Sequence, residues 1–163
     1  MRILVFSDSH GRLAEMRSVV KNEARFDMLL HAGDYGDDLA RLVMEEGFKV
    51  PFYAVRGNCD YDSECARQEM VEVNGIKIFL THGNRQGVKT GINRLYYYAL
   101  EQGADMVVFG HTHRPLVKNT GELYVLNPGT IAMPHGYGKS YGIIEIDENP
   151  HRRIDIKTVV LGR

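Results

Sequence analysis

Apolar residues in this chain fall in short blocks that end abruptly in polar loops. Residues 2–6 (RILVF) form a run of β-forming side chains that gives way at once to Ser7-Asp8-Ser9-His10-Gly11, the pattern of a buried strand emptying into a loop. Leu13, Met16, Val19 and Val20 then recur at helical spacing across residues 12–24, and residues 28–32 (MLLHA) read as a second buried strand. A β-α-β opening of this kind predicts two parallel strands joined by a right-handed crossover. The unit repeats, with a helix over residues 38–46 closed by Gly47 and a third strand over 52–55 that stops at Gly57.

After Asp60 the texture changes. Residues 69–73 and 76–81 alternate apolar and polar positions around Asn74-Gly75, the strongest short hairpin signal, which brings in antiparallel strands. A helix over 91–102 carries Ile92, Leu95, Tyr96 and Ala99 on one face and leads into a buried strand at 106–109 and then Gly110-His111-Thr112-His113. Tyr96, Tyr97 and Tyr98 are consecutive and cannot share one face, so part of that run is core and part is exposed. Candidate strands near 116–117 and over 123–126, 141–146 and 153–160 read as antiparallel β. No linker, internal repeat or low-complexity stretch interrupts the pattern. The expected architecture is α/β: one domain over residues 1–163, with a sheet of parallel strands, a second and more antiparallel sheet, and helices outside.

Composition narrows the picture. A chain of 163 residues, 44% hydrophobic and 25% charged, has the size and balance of one globular domain. Lys and Arg number 20 against 21 Asp and Glu, so a net charge of -1 gives no general attraction to nucleic acid or to an anionic membrane. The longest strongly apolar stretch, residues 106–109, is too short to span a bilayer, and Met1-Arg2 runs straight into a strand without a signal-peptide pattern. Cys59 and Cys65 have no second pair and resemble neither a disulfide framework nor a zinc ribbon. A reducing, cytoplasmic setting is expected.

The loops after the apolar strands carry the chemistry. Asp8, His10, Asp34, Asn58, His82, His111 and His113 all lie within about three residues of a predicted strand end, where α/β folds collect their ligand sites. Each alone has a plain explanation: Asp8 as a strand-end cap, Gly33-Asp34 as a turn, Gly57-Asn58 as a left-handed backbone, His82 as a loop histidine, and Gly110-His111-Thr112-His113 as a surface turn. Together they amount to two carboxylates, four imidazoles and one amide, a set that suits Mn, Fe, Zn, Co or Ni better than Ca or Mg. Asp8-x-His10 and His111-x-His113 each place two side chains within reach of one ion. The set is too large for one ion and fits two ions about 3.5–4 Å apart, sharing a carboxylate.

At these residues the sequence resembles the calcineurin-like metallophosphoesterase superfamily, whose ordered blocks are D-x-H, G-D, G-N-[HC]-[DE], H and G-H-x-H. The chain carries Asp8-Ser9-His10, Gly33-Asp34, Gly57-Asn58-Cys59-Asp60, Thr81-His82-Gly83 and Gly110-His111-Thr112-His113, and the likeness runs from residue 3 to about 130 through Asn127-Pro128-Gly129-Thr130. The short length and the Asn58-Cys59-Asp60 form are similar to the compact YfcE-type phosphodiesterase subfamily, which is related to a retromer subunit. The resemblance implies a β-sandwich of two mixed sheets flanked by helices in four layers, αββα. It also implies that Asp8, His10 and His113 bind one divalent ion, that Asn58, His82 and His111 bind a second, and that Asp34 bridges them, with manganese the foremost metal. A bridging hydroxide would then attack phosphorus in line. Asn58, Asp60 and His111 are the candidates for a direct part in catalysis.

The chain departs from the superfamily at Cys59, where many members have a histidine proposed to protonate the leaving oxygen, and at Asn84, where the subfamily often has histidine. A thiol is a weak donor, so esters with good leaving groups are expected to be cut faster than alkyl ones. Arg56, Cys59 and Arg85 are the candidate substrate contacts, Asn127-Pro128-Gly129 is expected to shape a turn near the metals, and His31, His135 and His151 are read as structural. The leading expectation is a phosphodiesterase acting on a small phosphoester. The alternatives are a phosphomonoesterase or nucleotidase with the same metals, and a metal-binding scaffold for protein partners. The resemblance further implies a homodimer or homotetramer.

Overall fold

The computed structural model describes residues 1–133, 136–147 and 154–162; His135, His151 and Arg153, which figure in the expectations above, lie outside them. The elements in chain order are β1 (Arg2–Phe6), α1 (Leu13–Asn22), β2 (Met28–His31), α2 (Asp37–Glu46), β3 (Phe52–Ala54), β4 (Gln68–Val73), β5 (Ile76–Thr81), α3 (Asn93–Glu101), β6 (Met106–Val108), β7 (Leu116–Asn119), β8 (Tyr124–Asn127), β9 (Ser140–Ile146) and β10 (Ile154–Val160).

Two five-stranded mixed sheets result. The first has the order β10-β9-β1-β2-β3 and the second β4-β5-β6-β8-β7. In the first, β1, β2 and β3 are parallel, and β9 and β10 join antiparallel beside β1. In the second, the hairpin β4–β5 turns at Asn74 and Gly75, whose φ values of 50° and 72° are those of the tight turn that Asn-Gly favours.

Strand β8 corrects the expectation of a uniformly antiparallel C-terminal part: it pairs parallel to β6, with Val107 opposite Val125. The physical reason is that β7 and its turn reverse the chain before β8, so β8 runs in the direction of β6. Because β5, β6 and β8 are parallel, their carboxyl ends leave the sheet at one rim, as those of β1, β2 and β3 do in the other sheet.

The strands read as near-continuous apolar runs because both faces of each sheet are covered. Ile3, Val5, Leu30 and Ala32 of the first sheet pack against Val71, Ile78, Leu80, Met106 and Val108 of the second. On the outer face, Leu4, Phe6 and Leu29 meet Met16, Val19 and Val20 of α1 and Leu39 and Leu42 of α2. Phe79, Val107 and Val125 meet Leu95 and Ala99 of α3. The order of layers is therefore αββα. Truncating a fully buried central residue such as Leu30 to alanine should cost about 2–5 kcal/mol.

Candidate metal centre

The two rims of parallel strand ends face one another, and all seven ligand candidates collect between them. Asp8 N–H donates to the carbonyl of Gly33 (2.9 Å), and Gly110 N–H donates to that of His82 (3.2 Å), which ties the β1 loop to the β2 loop and the β6 loop to the β5 loop. The approach is so close that no side chain fits at two glycines. A Cβ on Gly57 would stand 2.1 Å from Oδ1 of Asp34, and one on Gly110 would stand 1.9 Å from Oγ of Ser7.

Asp8, His10 and His113 bring ligand atoms within 4.8 Å of one another, and so do Asp34, His82 and His111. Asp34 faces both groups. Its Oδ2 lies 3.9 Å from Nε2 of His10, and its Oδ1 lies 3.4 Å from Nε2 of His82. Asn58 completes the second group, with Oδ1 3.1 Å from the same nitrogen of His82.

Hydrogen bonds hold the imidazoles by their far nitrogens. Nδ1 of His82 lies 2.8 Å from the carbonyl oxygen of Ala32, and Nδ1 of His113 lies 3.1 Å from that of Met133. A proton on Nδ1 meets the carbonyl in each case and leaves the Nε2 lone pair turned into the cluster, as second-shell carbonyls do for metal-bound histidines. Oδ2 of Asp8 accepts from the Ser7 hydroxyl and from the His111 N–H, whereas Oδ1, 3.1 Å from Nε2 of His113, is buried without a well-aligned partner among the described residues. Nε2 of His10 is likewise buried with no hydrogen-bond partner among the described residues. Lone pairs that converge in this way, with too few protons between them, fit divalent cations.

The titratable groups of the cluster shift in both directions: the Asp8 carboxylate raises His113, and against burial Asp34 and Asp8 raise His82. Burial alone would raise the Asp34 carboxyl, but His82 and the Cys59 N–H outweigh it and hold it well below the usual carboxylate range. Burial, with the charges of His82 and Lys89, lowers His111 to about 4, so its imidazole is neutral near pH 7. Burial and the Asp34 carboxylate push the Cys59 thiol up to about 11.

The backbone is unusual at the same places. Asp8, His10, Asp34, His111 and His113 have φ values of 55°, 48°, 55°, 66° and 58°, the left-handed region that side chains other than glycine rarely adopt. Each such residue costs of order 1–3 kcal/mol, and clusters of them mark functional sites.

Several residues support the cluster from behind, and the sequence pointed to only some of them. His31 is fully buried, and burial lowers it to about 4. Its Nδ1 accepts the Gly33 N–H at 3.2 Å, so Nε2 carries the proton and donates to Oγ of Ser9 at 3.0 Å. Ser9 in turn donates to Asp38 at the start of α2, which also accepts the Gly11 N–H. Thr130 holds the carbonyl of Asp8, and Asn127 holds that of Gly110 and the hydroxyl of Thr112. A serine, a threonine or one helical aspartate is too common for spacing alone to single it out.

Three of the candidates are not tied to the cluster by a hydrogen bond or ion pair among the described residues. Both oxygens of Asp60 accept backbone N–H groups, from Tyr35 and Gly57 at 2.6 Å each, and so staple the β2 and β3 loops. Arg56 turns toward the carbonyl of Ser63, and Arg85 is exposed; among the described residues no hydrogen bond or ion pair ties either to the cluster.

Residues 1–149 match the Calcineurin-like phosphoesterase superfamily domain. The chain belongs to that superfamily. It is 32% identical over 151 residues to the probable metallophosphoesterase YsnB of Bacillus subtilis, covering 91% of this chain and 86% of that protein. It is 31% identical over 170 residues to phosphodiesterase YfcE of Escherichia coli, covering 90% and 89%. The solved structure of Entamoeba histolytica Vps29 complexed with Zn2+ shares the fold, with a TM-score of 0.77, 21% identity and 98% of each chain covered. The chain is thus a compact member of the superfamily, of the YfcE-type subfamily, on a fold it has in common with Vps29.

Proposed function

We propose that the protein is a two-metal phosphodiesterase acting on small phosphodiesters, with Asp8, His10 and His113 holding one divalent ion and Asn58, His82 and His111 the other. Asp34 carries this reading, because one carboxylate turns an oxygen to each group. Bound there, the ions would lower the pKa of a water toward neutral and would supply positive charge beside the phosphoryl oxygens. The nitrogen and oxygen donors accommodate Mn, Fe, Co, Ni or Zn, and the family resemblance makes Mn the first to try.

The chain's own residues set the rest. Ala32 and Met133 carbonyls aim His82 and His113, and the Ser9–His31 chain fixes the Gly33 amide just before Asp34. Cys59 stays a neutral thiol and protonates a leaving oxygen poorly, so the basicity of the leaving group governs the rate. Aryl diesters should be cleaved faster than alkyl diesters, and equal rates with chemistry limiting would contradict that role.

The direct test is hydrolysis of a chromogenic aryl phosphodiester by metal-stripped protein, before and after Mn is restored, with Asp34→Asn as control. Activity that appears with Mn and is lost in Asp34→Asn supports the reading. Binding of divalent ions with no turnover of any ester supports a scaffold instead. Faster release of 4-nitrophenol from its monoester than from its diester favours a phosphomonoesterase built on the same residues.

A further inference from the structure

A groove of about 510 Å³ runs beside the metal-ligand cluster, and the reaction as proposed leaves it unused. Its apolar wall is formed by Val88 and Ile92 from the segment after His82, Phe109 after β6, and Leu116 at the start of β7. Thr112, which stands between His111 and His113 in the chain, also lines it and places the groove next to the cluster.

Two cations stand on this apolar wall. Lys89 is close enough to His111 for its charge to act on the imidazole, and the Arg114 guanidinium lies 5.5 Å from the centre of the Tyr137 ring. Neither has a carboxylate partner among the described residues. The arginines at the opposite end of the sandwich differ: Arg2 is paired with Glu23 and Glu145, and Arg25 with Asp27.

The groove is several times larger than a phosphate requires, and its size is that of a small-molecule pocket. The reacting phosphate is already served by the metal ligands, so Lys89 and Arg114 remain for a second negative group. The apolar wall and Tyr137 suit a flat ring, and the guanidinium fork suits a phosphate or carboxylate.

Resting on the two-metal phosphodiesterase reading, we propose that this groove seats one alcohol of the diester and selects an aromatic, nucleoside-sized group bearing a second anion. The test uses two 4-nitrophenyl diesters on metal-loaded protein that differ only in the other alcohol, phenol or 4-hydroxybenzoate. The carboxylated diester should have kcat/KM about tenfold above the plain one, and the ratio should fall to about one in the double variant Lys89→Gln/Arg114→Gln. Both side chains are exposed, so the fold tolerates these changes. A ratio of one or less in the natural protein, or one that survives the double substitution, overturns the proposal.

If neither diester is hydrolysed, the two-metal reading has failed, and the groove is judged separately. Metal-free protein is then titrated with fluorescent 6-hydroxynaphthalene-2-sulfonate. Binding that weakens about tenfold in the double variant upholds the anion-selective groove. No binding, or binding indifferent to the two substitutions, overturns it.

Discussion

At the rim where β1 begins, Arg2 reaches Glu23 at 2.6 Å and also pairs with Glu145, Asp27 accepts the Arg2 N–H at 2.7 Å, and the Tyr141 hydroxyl donates to Glu23. At the rim where β1 ends, Asp8 and His10 keep buried atoms without well-aligned partners, and five candidate ligands sit on left-handed backbone. Both rims are polar and rich in titratable groups, and the first even borders a cavity of about 530 Å³. They differ in satisfaction. A polar cluster that completes its own hydrogen bonds stabilises the fold and has little left to offer a ligand. One that does not is held in place by the rest of the structure and draws in what completes it.

The largest effect that tests this contrast is at Asp34. Asp34→Asn should lower kcat by about 10²-fold or more and remove the rise in Tm that Mn produces. The metal-free protein should also lose some stability, because His82 and the Cys59 N–H favour the ionised carboxylate in the folded state; a rise in Tm with Mn that survives the change would break the contrast. Next comes Asp60→Asn, which leaves one of the Tyr35 and Gly57 N–H groups without its acceptor. Loosening the two loops should weaken Mn binding by about 10–100-fold in a direct titration.

The first rim should answer in the opposite way. Arg2→Met is expected to cost about 1–3 kcal/mol in denaturant unfolding and to leave kcat unchanged. A loss of kcat there would break the division between the rims. The smallest effect is on pH. Burial alone would raise the Glu23 carboxyl, but hydrogen bonds from Tyr141 and Arg2 outweigh it and hold it below its ordinary 4.5. A depressed folded-state pKa gives stability that is present above the unfolded pKa and lost as pH falls through the folded one. The stability difference between the natural protein and Glu23→Gln should therefore be full at neutral pH and shrink progressively below about pH 4.5.

Much of this was legible in the sequence where the signal is local. The Asn74-Gly75 hairpin, the three helices and the polar loops after β1, β2, β3, β5 and β6 each follow from a few adjacent residues. The seven ligand candidates were legible because strand ends gather them and their side chains are chemically distinctive. Pairing between distant segments was not. Nothing near Ser140 announces that β9 lies beside β1, because one apolar strand satisfies another equally well in either sheet. The parallel direction of β8 was hidden for the same reason. The backbone contacts of Asp60 were not legible, because a carboxylate beside a ligand looks alike in sequence whether it faces substrate or two backbone amides, and only geometry separates the cases.

Gly57 and Gly110 give the site a vulnerability of an uncommon kind. The candidate ligands can stand where they do only because these two positions carry no side chain, so the smallest addition, a single methyl group, would displace Asp34 or Ser7 and, behind Ser7, Asp8. In a comprehensive substitution survey the most intolerant places would then include residues that donate, accept and ligate nothing through a side chain. Any redesign of the metal preference would have to treat that empty space as part of the coordination sphere.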